Sequence, residues 1–427
     1  MKGRLINEAE ILLSYNDGKY FARTDAGAAF ESKAPLKAEI INLLANQSLG
    51  VTDIANHKVT LPQHNINDLR QNRLLRSGYL LDVRKLEIII VNLGKQNSIE
   101  ILEVHAEGEV GQILTKGAPS IPGDTLLQQM QFINETDDSI LKFCLHEPRG
   151  KSQMTVNLLL PSKNPAAKYG FIPMQPDGAH SMSGSNSMCV ATALIELGLV
   201  ESSGPVCSVP IDTPSGLITA NATIAGAKVT SVEIEMPKSF LEHSDLEIYV
   251  SGIGNVKVDV AFGGCYFVLV DIAQLQIEIC NQNAEKLVSL GKAIKNAASE
   301  QITVQHPEFN ELNSIEYTMF VERSLPKIKT STILYPGRVD RSPCGTGTSA
   351  QLAALIAKEE VSSNEEITSE SIIGGQFFAK TKKHLRCGSR DAILPTMRGR
   401  AWIYGKTEFF VDQSDPFLSG YTLSDTW

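Results

Sequence analysis

Residues 342–360 read SPCGTGTSAQLAALIAKEE, and residues 182–198 read MSGSNSMCVATALIELG. The first stretch sets a thiol, Cys344, before two glycines and a run of small hydroxylated residues, with an apolar helix pattern behind it. Laid over one another from Ser183 and Cys344, the two stretches run in step. Gly184 falls on Gly345, Ser185 on Thr346 and Ser187 on Thr348. Further on, Ala193, Leu194 and Ile195 fall on Ala354, Leu355 and Ile356. No repeat of short period accompanies this echo. The alignment predicts two similar helix mouths, one opening with serine and the other with cysteine.

The first turn of a helix carries backbone N–H groups with no internal partner, and the macrodipole adds partial positive charge there. Glycines let a ligand approach that backbone closely. Such a mouth favours an anion, for instance a carboxylate, and favours a thiolate over a thiol. Both helix patterns are apolar almost all round, as expected of helices buried on every face. Two buried helices opening on one cleft would hold a small carboxylate between them. Cys344 would then stand on one side of it and Ser183 on the other.

The rest of the chain sets the bounds. Its 427 residues suggest two to three domains, and 42% hydrophobic with 20% charged residues is ordinary for a globular protein with a large core. A net charge of −9 argues against a chain built to coat nucleic acid. No apolar run approaches the roughly 20 residues that cross a bilayer. The opening MKGRLINEAEILL does not have the form of a signal peptide, so the expected location is the cytoplasm. The seven cysteines are scattered, with no CxxC and no metal-ligand spacing, which suits a reducing compartment. Most of them read as small buried hydrophobes, Cys189 among them.

Residues 1–85 read as a separate accessory module. EILLSYNDGKYFARTD predicts a hairpin with Asn16, Asp17 and Gly18 at its turn. APLKAEIINLLANQ, VTDIANHK and LPQHNINDLRQNRLLRSGYLL are helix candidates, so the module resembles a winged-helix fold or a small leader-peptide-recognising domain. Arg70, Arg73 and Arg76 would serve DNA binding, although Asp53, Asp68 and Asp82 dilute the patch. The other readings are a peptide-binding module and a packing or dimerisation appendage that makes a homodimer. Beyond Leu86 the texture becomes β-rich. KLEIIIVNLG, SIEILEVHAEGEVGQIL, PSGLITANATIAGAKVTSVEIEMP and IGNVKVDVAFGGCYFVLVDI are strand-like. GDTLLQQMQFIN, NAEKLVSLGKAIKNAASEQ and the two matched stretches are helical. The expected class is α+β.

Rival readings of the cysteine stretch fail on context. GTGTSA fits G-x-G-x-x-A, but too few residues follow for a doubly wound domain, and Pro343 is a poor central-strand residue. A phosphate loop needs Gly-Lys-Ser/Thr, and no lysine follows Cys344 before Lys358. The bland alternative is a capped core helix with an incidental cysteine, and the matched second copy weighs against it.

DRSPCGTGTSA and MSGSNSMCVATALIELG resemble the two signature segments of the proline racemase family, which includes hydroxyproline 2-epimerases and trans-3-hydroxyproline dehydratases. HAEGEVGQIL at His105, EPRG at Glu147, PGDTLLQQM at Pro122, DVAFGG at Asp259, SIIGGQF at Ser371, GRAWIYG and DPFLSGYTL agree in order, from about residue 88 to the end. The resemblance implies a diaminopimelate-epimerase-like fold, two pseudo-symmetric α/β halves that each wrap strands around a central helix. Residues 86–240 with 397–427 would form the first half and 241–396 the second. The resemblance also implies that no cofactor or metal is needed and that the partner is a small amino acid of proline type. Ser183 and Cys344 would exchange the α-proton on opposite faces of the substrate. Backbone amides at Gly184, Ser185, Gly345 and Thr346 would hold its carboxylate, and Asp340 its amine.

Two departures stand out. Racemases of the family carry Cys-Gly-His where this chain has Ser183-Gly184-Ser185, and an alcohol is a far weaker acid than a thiol. An aromatic expected after EPRG is absent; KSQMTVN follows instead, so the pocket is expected to be wider or more polar. Three functions therefore stay open. These are a racemase or epimerase, a dehydratase working from the Cys344 face alone, and a binding role added by the N-terminal module.

Overall fold

The computed structural model describes residues 98–424, apart from positions 335 and 413, together with four N-terminal strands. Strand β1 (Glu8–Asn16) pairs antiparallel with β2 (Lys19–Thr24), as the hairpin reading expects. Strand β3 (Ala29–Glu31) pairs with β2, and β4 (Lys58–Pro62) pairs with β1. Residues 58–62 are therefore a strand where two of the helix candidates had their ends. The rest of those candidates, and KLEIIIVNLG, lie outside the described residues.

The remainder is a mixed α+β structure in which one order of elements occurs twice. The first run is β5 (Ser98–Ala106), β6 (Glu109–Val110), β7 (Gln112–Lys116), α1 (Leu126–Glu135), α2 (Ser139–Leu145), β8 (Val156–Pro161), β9 (Tyr169–Gln175), β10 (Gly178–Ala179), α3 (Gly184–Glu196), β11 (Val206–Thr213), β12 (Gly216–Ala225) and β13 (Lys228–Glu235). The second is β14 (Phe240–Val250), β15 (Gly254–Phe262), β16 (Tyr266–Asp271), α4 (Ala284–Gln301), β17 (Ile315–Ser324), β18 (Lys327–Leu334), β19 (Arg338–Val339), α5 (Gly345–Ala357), β20 (Ile367–Ser371), β21 (Gln376–Cys387) and β22 (Arg390–Gly399). Strand β23 (Ala401–Phe410) closes the chain.

The pairings repeat as well. β7 runs parallel to β8 as β16 does to β17, and β9 parallel to β11 as β18 does to β20. Antiparallel β11–β12–β13 matches β20–β21–β22. The runs join where β13 pairs β22, and β23 returns to pair with β5 as β14 pairs with β15.

Strand sequences explain the layering. In β12 and β13 apolar residues alternate with polar ones, and alternate positions are buried. The turn between them uses Gly226 at φ +62°, open to L-residues only at a cost. The two matched helices are each sheathed by strands, α3 by β5, β12, β13 and β23, and α5 by β14, β15, β21 and β22. Every residue of α3 from Asn186 to Ile195, and of α5 from Gly347 to Leu355, is buried. Both helices share one core cluster, while α1 with α2, and α4, sit over separate ones. At the end of α5, Lys358 pairs with the buried Asp259 at 2.7 Å, a cation where the helix dipole favours one. Among the described residues no helix is long and apolar enough to cross a membrane.

Candidate active site

The two helix mouths meet. Ser183 is the residue before α3 and Cys344 the residue before α5, and a Cβ built on Gly345 would stand 3.5 Å from Gly184 Cα. Both open on one cavity of about 220 Å³, whose wall includes Ser183, Ser185, Asp340, Cys344 and Thr346. Gly184 and Gly345 also line it, so all the predicted site residues come together. At the back of the Cys344 mouth, a Cβ on Gly263 would fall 2.1 Å from the Thr346 carbonyl oxygen, so only glycine lets the bend between β15 and β16 pass.

Neither mouth residue caps its own helix through its side chain. This separates the site from the bland reading of two capped helices. Instead Ser183 Oγ accepts a hydrogen bond of 2.8 Å from Asn186 Nδ2. The orientation is set from behind. Asn157 Nδ2 donates to the Gln112 carbonyl and to Asn186 Oδ1, which leaves the Asn186 amide nitrogen to face Ser183. The Ser183 oxygen is thus an acceptor towards the protein, and its own proton is free to point to Ser185 Oγ, 3.4 Å away, or into the cavity.

Cys344 adopts φ +64°, a left-handed backbone that L-residues rarely occupy, so its placement carries strain. Its N–H donates to Ser342 Oγ at 3.1 Å, and its sulfur lies 3.7 Å from Thr346 Oγ1. The helix mouth was expected to favour a thiolate. Here burial, and then the neighbouring Asp340 carboxylate, push the thiol up to about 12, against smaller pulls from the Gly347 N–H and the Thr346 hydroxyl. Desolvation thus outweighs the helix dipole, and Cys344 holds its proton.

Asp340 is buried, and its Oδ1 accepts from Ser342 N at 2.8 Å and Ser342 Oγ at 2.9 Å. Burial, then the Glu109 carboxylate, raise it to about 7, with Arg338 and Ser342 opposing. Further residues of the wall escaped the sequence reading. Glu109 reaches in from β6, Cys265 lines the wall, and Asp177 pairs with His180 at 3.1 Å. Tyr317 and Glu316 stand on β17. Where the aromatic after EPRG is missing, Thr155 lines the cavity and its hydroxyl has no protein partner. The other cysteine singled out, Cys189, is fully buried in α3 and far above its usual range through desolvation, as a packing residue should be.

Residues 101–422 match the proline racemase family. The chain is 40% identical to a 4-hydroxyproline 2-epimerase of Rhizobium etli over 78% of this chain and 97% of that protein. A solved hydroxyproline epimerase of Agrobacterium vitis with bound trans-4-hydroxy-L-proline superposes with a TM-score of 0.72 at 39% identity, over 78% of this chain and 96% of that one. A probable proline racemase of Agrobacterium radiobacter with bound carbonate gives the same TM-score and identity over 77% and 98%.

Proposed function

The chain belongs to the proline racemase family, and from that premise we propose that it is a cofactor-independent racemase or epimerase that moves the α-proton of a proline-type amino acid. The observation that carries this is the meeting of two uncapped helix mouths, Ser183 and Cys344, over one cavity. The substrate of the relatives, 4-hydroxyproline, is the proposed substrate here. The polar wall of Thr155, Asp177, His180 and Glu316 suits a ring hydroxyl. We read the repeated pairings as the two-lobed, pseudo-twofold architecture of diaminopimelate epimerase, divided near residues 240 and 397.

Each residue has a role in this reading. Backbone N–H groups at Gly184, Ser185, Gly345 and Thr346 hold the carboxylate and stabilise the carbanionic state, which matters most in a dry site. The amine pairs with Asp340. That pairing offsets the second of the two influences keeping the proton on Cys344, so substrate binding itself favours the thiolate. The thiolate takes the α-proton from one face, and Ser183 gives its proton to the other. The alkoxide left behind is held by Asn186 Nδ2 and is reprotonated through water from the thiol. The thiolate so re-formed recovers from solvent, as product leaves, the proton it gave up on substrate binding. Seven free cysteines, with no disulfide among them, fit the expected cytoplasmic location.

One observation favours the lyase reading. Ser183 Oγ faces a donor, Asn186, and among the described residues it hydrogen-bonds to no base. Chemistry from the Cys344 face alone, with loss of a 3-hydroxyl, needs no second base. Incubation in heavy water with proline, both 4-hydroxyproline epimers and trans-3-hydroxyproline, followed by NMR, tests the assignment. Epimerisation conserves mass, whereas dehydration forms a cyclic imine. Absence of both α-deuterium and cyclic imine from every substrate would refute both. Residues 1–85 lie outside the family match, and their peptide-binding, DNA-binding or dimerising role is a separate proposal.

A further inference from the structure

The carboxylate of Glu109 comes from the first run of elements but grips the second. Its Oε1 accepts from Arg338 Nη1 at 2.6 Å, and its Oε2 accepts from the Arg341 backbone N–H at 2.8 Å. Those two residues flank Asp340. Both partners of the ion pair are buried, and Glu109 itself lines the cavity. Nη2 and Nε of Arg338 have no protein partner, so the pair with Glu109 is the side chain's main anchor. Behind Glu109, the β5–β6 turn is fixed by the Gly108 N–H donating to His105 Nδ1 at 3.2 Å.

We infer that Glu109 is a positioning residue, which seats the Asp340 carboxylate for the substrate amine by clamping the backbone on either side of it. The inference rests on the proposal that Asp340 binds the amine. The charges facing Asp340 are Glu109, Arg338 and the Cys344 sulfur, with Tyr317 acting on Arg338. Glu109 and Asp340 are two negative groups sharing one arginine. The local surplus is negative when both are ionised, and a bound ammonium ion cancels it. Glu109 therefore does two separable things. It fixes where Asp340 sits, and it makes Asp340 harder to ionise.

The separation gives the test. Binding of L-proline to the full-length Cys344→Ala protein, which cannot turn over, is measured by calorimetry from pH 5 to 9. Cyclopentanecarboxylate, which keeps the carboxylate and lacks the nitrogen, serves as control. In the Cys344→Ala parent, L-proline binding should strengthen with pH through a midpoint near 7, and the control should not. Adding Glu109→Gln removes one like charge, so the midpoint should fall by about one pH unit. The high-pH plateau should weaken about tenfold as Asp340 loses its seat, the scale of one lost hydrogen bond to a charged group. Arg338→Gln should move the midpoint the other way, because it removes the opposing positive charge. A simple structural brace would lower affinity for both ligands equally and leave the midpoint in place, which would overturn the inference. Failure of both variants to fold would likewise reduce the pair to a folding latch and overturn it. A parent whose proline binding ignores pH would instead remove Asp340 as the amine's partner, and the two failures are thus told apart.

Discussion

Replacing Ser183 by cysteine tests the two-sided reading most directly. The oxygen at 183 is held by one donor, Asn186 Nδ2 at 2.8 Å, and has only Ser185 Oγ, at 3.4 Å, as a second neighbour. It can give a proton but is a poor acceptor of one. A thiol there would sit at a helix mouth on a half-buried residue, whereas Cys344 is only 6% exposed, so desolvation should raise it less. A positioned general base contributes about 10²- to 10⁴-fold. The Ser183→Cys enzyme should therefore speed proton removal from the Ser183 face, and two-way exchange between epimers, by about tenfold to a hundredfold. Ser183→Ala should lower epimer formation by about 10²-fold or more, while α-proton exchange from the Cys344 face survives within about tenfold. It also leaves the Asn186 amide without its acceptor, so it should lose about 1–3 kcal/mol of stability. The assay is proton NMR in heavy water on each 4-hydroxyproline epimer, reading α-deuterium and epimer separately. Equal rates and epimer-to-exchange ratios in all three proteins would show that the serine takes no part in proton transfer.

Further predictions follow from the same geometry. Cys344→Ala should abolish α-deuterium incorporation with the fold intact by circular dichroism, and retained exchange would remove Cys344 as the base. Cys344→Gly should be equally inactive but more stable than Cys344→Ala by roughly 1 kcal/mol in urea unfolding, since it relieves the φ of +64°. The raised pKa of Asp340 carries a sign. A carboxyl raised in the folded state is harder to ionise there than in the unfolded chain, so it lowers stability as pH rises from about 4 through 7. Asp340→Asn, which keeps an oxygen for the Ser342 donors, should then melt higher than wild type at pH 8, with the gain vanishing near pH 4 and amine binding lost. Removal of residues 1–84 should leave a soluble chain active on a free amino acid, because the family match begins at residue 101. A folded but inactive product would point to substrate recruitment by that module.

The two mouths were legible because their chemistry is local. Small residues, glycines and an all-apolar helix lie side by side in the chain, and the echo between residues 183 and 344 told that one motif occurs twice. The hairpin at residues 8–24 was legible for the same reason, through its turn residues. What escaped notice was made by contacts distant in sequence. Glu109 lies inside the quoted HAEGEVGQIL, and Arg338 two residues before Asp340, yet nothing in either stretch says that they pair across 229 positions. Charged residues set in short glycine-rich stretches are the sign, because each needs a partner if buried. Cys265 was not singled out, since one cysteine in FGGC looks like any other, and only the folded chain brings it to the cavity wall.

The disagreement over Cys344 has a mechanistic reading. Sequence reasoning weighed the helix mouth, which favours a thiolate, and could not weigh the burial that a wrapped helix imposes. Burial wins and keeps the sulfur protonated. The same dryness is what would let a few backbone N–H groups stabilise a carbanion. A wet mouth would ionise the thiol readily but would squander those hydrogen bonds on water. A protonated thiol at rest, freed by the charge of the substrate's own amine at Asp340, reconciles the two demands. It also ties reactivity to occupancy. A compound with the carboxylate but no amine should occupy the mouths without releasing the proton on Cys344, and should bind as an inhibitor that leaves the sulfur unreactive towards alkylating agents.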